Sequence, residues 1–251
     1  MTKTIKTSAI IHEDSNIVVI ATGLGTGQKS KNSKTGAMIQ TWILAKNLAP
    51  MAAIHSGNDS IVCGNCPLRG VTIPKQQAGS PNQTVNKERA CYVNVSKAPS
   101  NVWKAYKKGH YVYLTGKSLL DAFRDKTVRF GSYGEPVLIP FKIVKSIASV
   151  AKGWTGYSHQ WSNPLFSAYK NYFMASTNEM DYKQAMAQGW RVFSLSSKKI
   201  PNMIVCPASK ERGHKTTCEK CLLCAGTSRD ARSIMIAPHG VGKKYVDHVQ
   251  F

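Results

Sequence analysis

Seven cysteines in two spaced groups constrain this chain more than any other feature, because thiols at such spacings are built to meet around a common centre. The second group reads Cys206-Pro-Ala-Ser, then Cys218-x-x-Cys221-x-x-Cys224, then His239. Four soft ligands within nineteen residues, with an imidazole fifteen further on, offer five donors for four tetrahedral places. Either Cys206 or His239 supplies the fourth ligand. The first group is Cys63-x-x-Cys66 and, after twenty-four intervening residues, Cys91. Its three thiols could take zinc with His55 as a fourth ligand, or an iron–sulfur cluster with one iron left open. One closed site and one open site point to an enzyme more than to a scaffold.

The compartment sharpens this. The chain starts Met-Thr-Lys-Thr-Ile-Lys without an apolar leader, and no run approaches the roughly eighteen apolar residues of a membrane span. A cytoplasmic location with no membrane partner is expected, and there CxxC pairs are metal ligands rather than disulfides. Reduced core cysteines would account for one or two of the seven, not for all at these spacings.

The net charge is +21, from 34 Lys and Arg against 13 Asp and Glu. Such an imbalance costs a compact chain through self-repulsion and makes sense beside a polyanion, DNA or RNA. Residues 87–129 carry ten basic side chains against three acids and residues 191–251 eleven against four, while 130–190 hold five against three. Basic walls thus flank a more neutral centre. Lys29, Lys31, Lys34, Lys104, Lys107, Lys108 and Arg129 are the candidate backbone contacts. The glycine-rich stretch 22–30 is not a nucleotide-binding phosphate loop, since Gln28 separates Gly27 from Lys29 where that loop needs Gly-Lys adjacent.

Apolar runs place strands at Asn16–Ala21 and Met38–Ala45, with the cysteine segment 61–95 read as loop held by its ligands. Beyond residue 110 short strands near 111–114, 128–130, 172–176, 190–195, 203–205 and 234–237 alternate with helices over 118–124, 139–151 and 182–188. That texture predicts an α/β fold with parallel βαβ units, as a single (β/α) barrel or partial barrel carrying Cys-rich insertions. Residues 1–110 would supply the N-terminal strands and the first cysteine group, and 111–251 the βα repeats, within one compact domain.

In such folds chemistry belongs at the C-terminal strand ends. Three of the thirteen acids fall there, in Gly-Ser132-Tyr133-Gly-Glu135-Pro and Asn-Glu179-Met-Asp181, while the loop between them reads Tyr157-Ser-His159-Gln-Trp161. Glu135, Asp181 and His159 are the candidate catalytic residues. Asp181 has the alternative role of favouring the start of helix 182–188, and His159 that of packing between tryptophans. Ser132, Tyr133, Tyr157, Trp161 and Glu179 are the candidate substrate contacts, the aromatic ones offering faces for a displaced base.

Together, Cys63-Gly-Asn-Cys66-Pro, Ala-Cys91-Tyr-Val, Arg129-Phe-Gly-Ser-Tyr-Gly-Glu-Pro136, Gly156-Tyr-Ser-His-Gln-Trp161, Gly189-Trp-Arg-Val-Phe193 and the C-terminal cysteine run resemble a group of bacteriophage proteins, the gene-product-88-like group, from about residue 20 to 240. The resemblance implies a phage origin and the host cytoplasm. The knuckle Cys218, Cys221, Cys224 followed by His239 is also similar to the zinc site of tRNA-guanine transglycosylases and their phage DNA-modifying relatives. That likeness implies an α/β barrel that inserts 7-deazaguanines through one carboxylate nucleophile at the ribose C1′ and one carboxylate base, with Glu135 and Asp181 as candidates. A third likeness, to radical-SAM-like phage barrels, implies an iron–sulfur cluster on Cys63, Cys66 and Cys91. The expected functions are therefore DNA base exchange, iron–sulfur chemistry on nucleic acid, or metal-braced nucleic-acid binding without catalysis.

Overall fold

A computed structural model describes residues 7–25, 34–74, 84–240 and 243. Strands β1 (Ser8–Glu13), β2 (Ile17–Thr22) and β3 (Ile39–Ala45) pair antiparallel in sequence order. Only Asp14–Asn16 link β1 to β2, too short for a crossover helix, so these strands have to run antiparallel. Helices α1 (Pro50–Ser56) and α2 (Ser60–Cys63), a 3-10 turn at Pro67–Arg69, and the hairpin β4 (Val71–Pro74) and β5 (Thr84–Lys87) follow. The cysteine segment, expected as loop, therefore has secondary structure of its own.

Helix α3 (Ala98–Lys107) leads to β6 (Val112–Tyr113), which lies parallel beside β1. Helix α4 (Gly116–Phe123) then feeds β7 (Thr127–Tyr133), parallel to β3, and α5 (Phe141–Val150) crosses to β8 (Gly153–Thr155), parallel to β7. The first sheet has the order β6-β1-β2-β3-β7-β8 and draws strands from both sides of residue 110.

At Gly156 the chain leaves this sheet and starts a second one with β9 (Tyr157–Ser158). β10 (Met174–Thr177), helix α6 (Tyr182–Ala187), β11 (Val192–Leu195), β12 (Ile204–Val205), helix α7 (Cys218–Cys221) and β13 (Ile234–Ile236) complete an all-parallel sheet of order β12-β13-β11-β10-β9. The α/β class is as expected. The described strands form one mixed and one parallel sheet beside the β4–β5 hairpin, and not a closed barrel. The antiparallel meander at the start of the chain limits the run of parallel neighbours in the first sheet.

The alternation of side chains along the parallel strands separates two packed faces. Val128, Phe130, Ala175 and Val192 join Leu119, Phe123, Val144, Ile147 and Ala185 of the helices in the main core. Met174, Phe193, Leu195, Ile234 and Ile236, of the opposite parity, belong with Met38 and three cysteines to a smaller cluster. Arg129, Tyr133, Tyr157, Ser176, Phe193 and Leu195 line a chamber on that face. Among the described residues no helix is long and apolar enough to cross a membrane.

Gly156 is the corner on which the junction turns. Its N–H donates to the Cys224 carbonyl and its carbonyl accepts from Met174 N, both at 3.0 Å. A Cβ there would stand 2.5 Å from Phe173 Cδ1, against a fully buried ring. Gly156→Ala is expected to cost about 1–3 kcal/mol through this overpacking, read as a lower urea midpoint at unchanged slope.

Candidate functional site

The first cysteine group is assembled by a buried charge. Asp59, with no exposed surface, precedes α2; its Oδ1 accepts from Arg69 Nε at 2.9 Å and Nη2 at 2.6 Å, and its Oδ2 from Arg89 Nη1 at 2.8 Å. Arg69 also donates to the carbonyls of Gly57 at 2.8 Å and Gly64 at 3.2 Å, gripping both the end of α1 and the turn between Cys63 and Cys66. Arg89 reaches the Arg69 carbonyl at 3.1 Å. Two residues further on, Cys91 N–H donates to the Leu68 carbonyl at 2.9 Å. Cys91 is thereby brought beside Cys63 and Cys66.

Two strand-end loops close on the same turn. After β7, Glu135 N–H donates to the Val62 carbonyl at 2.7 Å. After β9, Gln160 accepts from Asn65 N at 3.3 Å and donates to the Cys63 carbonyl at 3.4 Å. The approach is close enough that a Cβ on Gly64, whose φ is +54°, would lie 2.7 Å from Gln160 Cδ.

Glu135 is 3% exposed, and both of its oxygens are engaged. Oε2 accepts from Ser158 Oγ at 2.8 Å, Oε1 lies 2.7 Å from His159 Nδ1, and the His159 N–H is 3.1 Å from each. Cys66, Glu135 and His159 place their ligand atoms within 4.8 Å of one another, the one such group among the described residues. Burial pushes the Cys63 and Cys66 thiols well up, reinforced for Cys63 by Cys91 and the Asp59 charge and for Cys66 by the Glu135 charge. Such thiols keep their protons at neutral pH unless a cation replaces them.

These groups open on a chamber of about 350 Å³. Lys34, Arg129, Tyr92 and His239 also line it. Arg129 Nη2 donates to Tyr92 Oη at 3.2 Å, and its guanidinium lies 5.8 Å from the Tyr157 ring centre. It makes no ion pair with a carboxylate among the described residues.

The second cysteine group lies against the same face. Burial pushes the Cys206, Cys218 and Cys224 thiols up, and the neighbouring thiols, Cys221 among them, add to it. Opposing cations pull down: Lys34 acts on Cys206 and Cys218, and Arg129 on Cys218, while a hydrogen bond from Tyr157 lowers Cys224. Segment 34–37 is fastened over the knuckle by Cys218 N–H on the Lys34 carbonyl at 2.8 Å, Glu219 N–H on the Thr35 carbonyl at 3.1 Å, and Ala37 N–H on the Glu219 carboxylate at 2.9 Å. Cys206 lies within electrostatic reach of Cys218, Cys221 and Cys224. His239 instead packs on Tyr92, 5.4 Å between ring centres, with Nδ1 on the Ala237 carbonyl.

Of the other residues singled out in the sequence, Ser132, Tyr133 and Tyr157 line the chamber. Trp161 does not; it is buried in the main core. Glu179 is exposed and accepts from Ser196 Oγ at 2.6 Å. Asp181 is buried, which raises its carboxyl, and it lies within electrostatic reach of His159 but off the chamber wall. Its Oδ1 accepts from Asn178 N at 2.8 Å rather than capping α6. Lys104 and Lys107 stand on α3, Lys108 caps it, and none lines the chamber; Lys107 Nζ sits over Trp103 and Tyr106. His55 is exposed on α1, so Glu135 and His159 are the nearer partners of the first group. Lys29 and Lys31 lie outside the described residues. Reasoning from sequence missed Asp59, Arg69, Arg89, Gln160 and Tyr92; an acid four residues before Cys63, in a chain with so few, was the available signal for the first.

Compared with known proteins, the chain matches no protein-family model, no curated protein and no solved structure.

Truncating Asp59 leaves two arginines without their buried partner. Asp59→Ala is expected to cost about 3–5 kcal/mol in urea unfolding and to speed alkylation of Cys66 in the folded protein.

Proposed function

We propose that the protein is an enzyme that modifies a base of a nucleic acid, with the target nucleotide held in the chamber and Glu135 and His159 handling protons. The observation that carries this is the 2.7 Å Glu135–His159 pair on the wall of a chamber that basic and aromatic side chains also line, in a chain of net charge +21. A volume near 350 Å³ suits one nucleotide rather than a duplex, so the base has to be turned out of its stack or taken from a single strand. Tyr92, Tyr133 and Tyr157 supply ring faces, and Lys34 and Arg129 supply charge for phosphate.

The fold reading supports the placement. The parallel run β3-β7-β8 continues across Gly156 into β9-β10-β11-β13-β12, which we read as a partial barrel. Glu135 and His159 follow the C-terminal ends of β7 and β9, where such folds hold their ligands. Cys206, Cys218, Cys221 and Cys224, whose sulfurs do not gather as closely as the Cys66, Glu135 and His159 donors, are read as the ligands of a structural zinc ion that would draw them together.

Among reactions on a base, exchange at C1′ requires a carboxylate oxygen that is free to attack. Both oxygens of Glu135 already receive hydrogen bonds, and Asp181 lies off the chamber wall. The geometry favours Glu135 as the group that orients His159 and stabilises its charged form, with His159 as acid and base toward the substrate.

Nucleosides from DNA and RNA of cells expressing the wild-type chain are expected to contain a mass-shifted species that falls by about 10²-fold or more with Glu135→Gln or His159→Gln, while binding to nucleic acid is retained. Full modification by Glu135→Gln overturns the reading. Binding should weaken steeply with salt, and Arg129→Gln should lower the slope of log affinity against log salt by about 1. Salt-independent binding would remove the polyanion from the proposal.

A further inference from the structure

We infer that Cys66, Glu135 and His159 form a second metal site, holding one divalent transition-metal ion with an open coordination position toward the chamber. The three residues come from separate elements: the turn after α2, the loop after β7 and the loop after β9. Their ligand atoms already lie within 4.8 Å of one another, whereas the ligands of a tetrahedral zinc ion stand about 3.3 Å apart or a little more where sulfur is one of them. Small side-chain adjustments close that difference.

The 2.7 Å contact between His159 Nδ1 and Glu135 Oε1 is the proton-bridged form of the pair. An ion between them takes the place of the proton and opens the contact by about half an ångström. The surroundings hold the ligands in place, as metal sites require. Ser158 Oγ and the His159 N–H fix the carboxylate, Gln160 fixes the turn carrying Cys66, and Arg69 anchors that turn to Asp59.

A mixed thiolate, carboxylate and imidazole set suits zinc or a neighbouring first-row ion. Three protein ligands leave a fourth place, and all three residues line the chamber, so a water or a substrate heteroatom would complete the shell there. Three protein ligands with an open fourth place is the arrangement in which an ion activates water, unlike a closed four-thiol group. It also differs from a cluster on Cys63, Cys66 and Cys91, for which Glu135 and His159 would be bystanders.

This site does not rest on the nucleic-acid reading. With an ion bound, the proton shared by Glu135 and His159 is displaced, and the group in the fourth coordination place takes over the acid–base work. The test of the site uses no substrate. The full chain, stripped with a chelator and dialysed against zinc, is compared with Cys66→Ser, Glu135→Gln and His159→Gln by elemental analysis. Each variant is expected to hold one zinc fewer per chain than the wild type, while Cys91→Ala holds as many. Equal zinc in wild type and all three variants overturns the site. Iron with sulfide in protein purified without oxygen, lost in Cys91→Ala, overturns it in favour of the cluster.

Because a variant could lose zinc by unfolding, the wild-type chain supplies a second measurement. Zinc should slow alkylation of Cys66 by tenfold or more and leave Cys91 unchanged, read by mass spectrometry. Protection of both thiols, or of neither, counts against the site. A wild-type chain that binds at Cys66 yet modifies no nucleic acid would sink the proposed function and leave the metal site standing.

Discussion

The carboxylate of Asp59, closed off from solvent between Arg69 and Arg89, is the interaction on which the candidate site depends. One arginine grips the turn that carries Cys63 and Cys66; the other stands two residues from Cys91. A buried ion pair of this kind is weak evidence for stability, because desolvation offsets most of the attraction. Its value here is positional. Apolar residues could fill the same volume, but they would not fix both cysteine-bearing segments to one point by directed hydrogen bonds. Each oxygen of Asp59 takes a different arginine, so the arrangement resists sliding in both directions.

The second constraint is the corner at Gly156. A strand that passes from one sheet to another has to bend where its neighbours stay close, and here a buried phenylalanine ring occupies the space a side chain would need. Because β8 and β9 are halves of one crossing, the ends of β7 and β9 stand side by side, and Glu135 meets His159. The sheet edge and the cysteine turn then touch through Gln160 and the Glu135 N–H. Neither cysteine group nor strand end would be a site without this junction.

How far the sequence discloses this differs from residue to residue. The cysteine groups are legible as groups because their members recur at short spacings, and the strand–helix alternation after residue 110 because apolar periodicity is local. Glu135 stands out as an acid before proline in a chain with few acids. Its meeting with Cys66 and His159 is not legible, since it depends on which strands are neighbours and on a corner made by one glycine. Cys206 and His239 are equivalent candidates by spacing; packing sets Cys206 among Met38, Met174 and the knuckle and His239 against Tyr92. Trp161 reads as a stacking surface in sequence because it lies two residues from His159. In the fold that spacing, past the end of the strand, leads it into the core.

Charge distribution completes the argument. Several of the scarce acids serve as internal fasteners. Asp59 joins two arginines, Glu135 holds His159, Glu219 clips the 34–37 segment to the knuckle, and Glu13 gathers Lys46, Tyr106 and Tyr113. Acids committed in this way do little to neutralise lysines elsewhere, so the excess of +21 falls mainly on the surface and on the chamber. Arg129 and Lys34 stand between the chamber and the four C-terminal thiols, and their charge favours the ionised form of Cys218. If those thiols hold a metal, as proposed, the two cations offset part of the negative charge that its thiolates carry. Without one they face protonated sulfur and add to the repulsion. The same two residues therefore couple the second cysteine group to the chamber electrostatically.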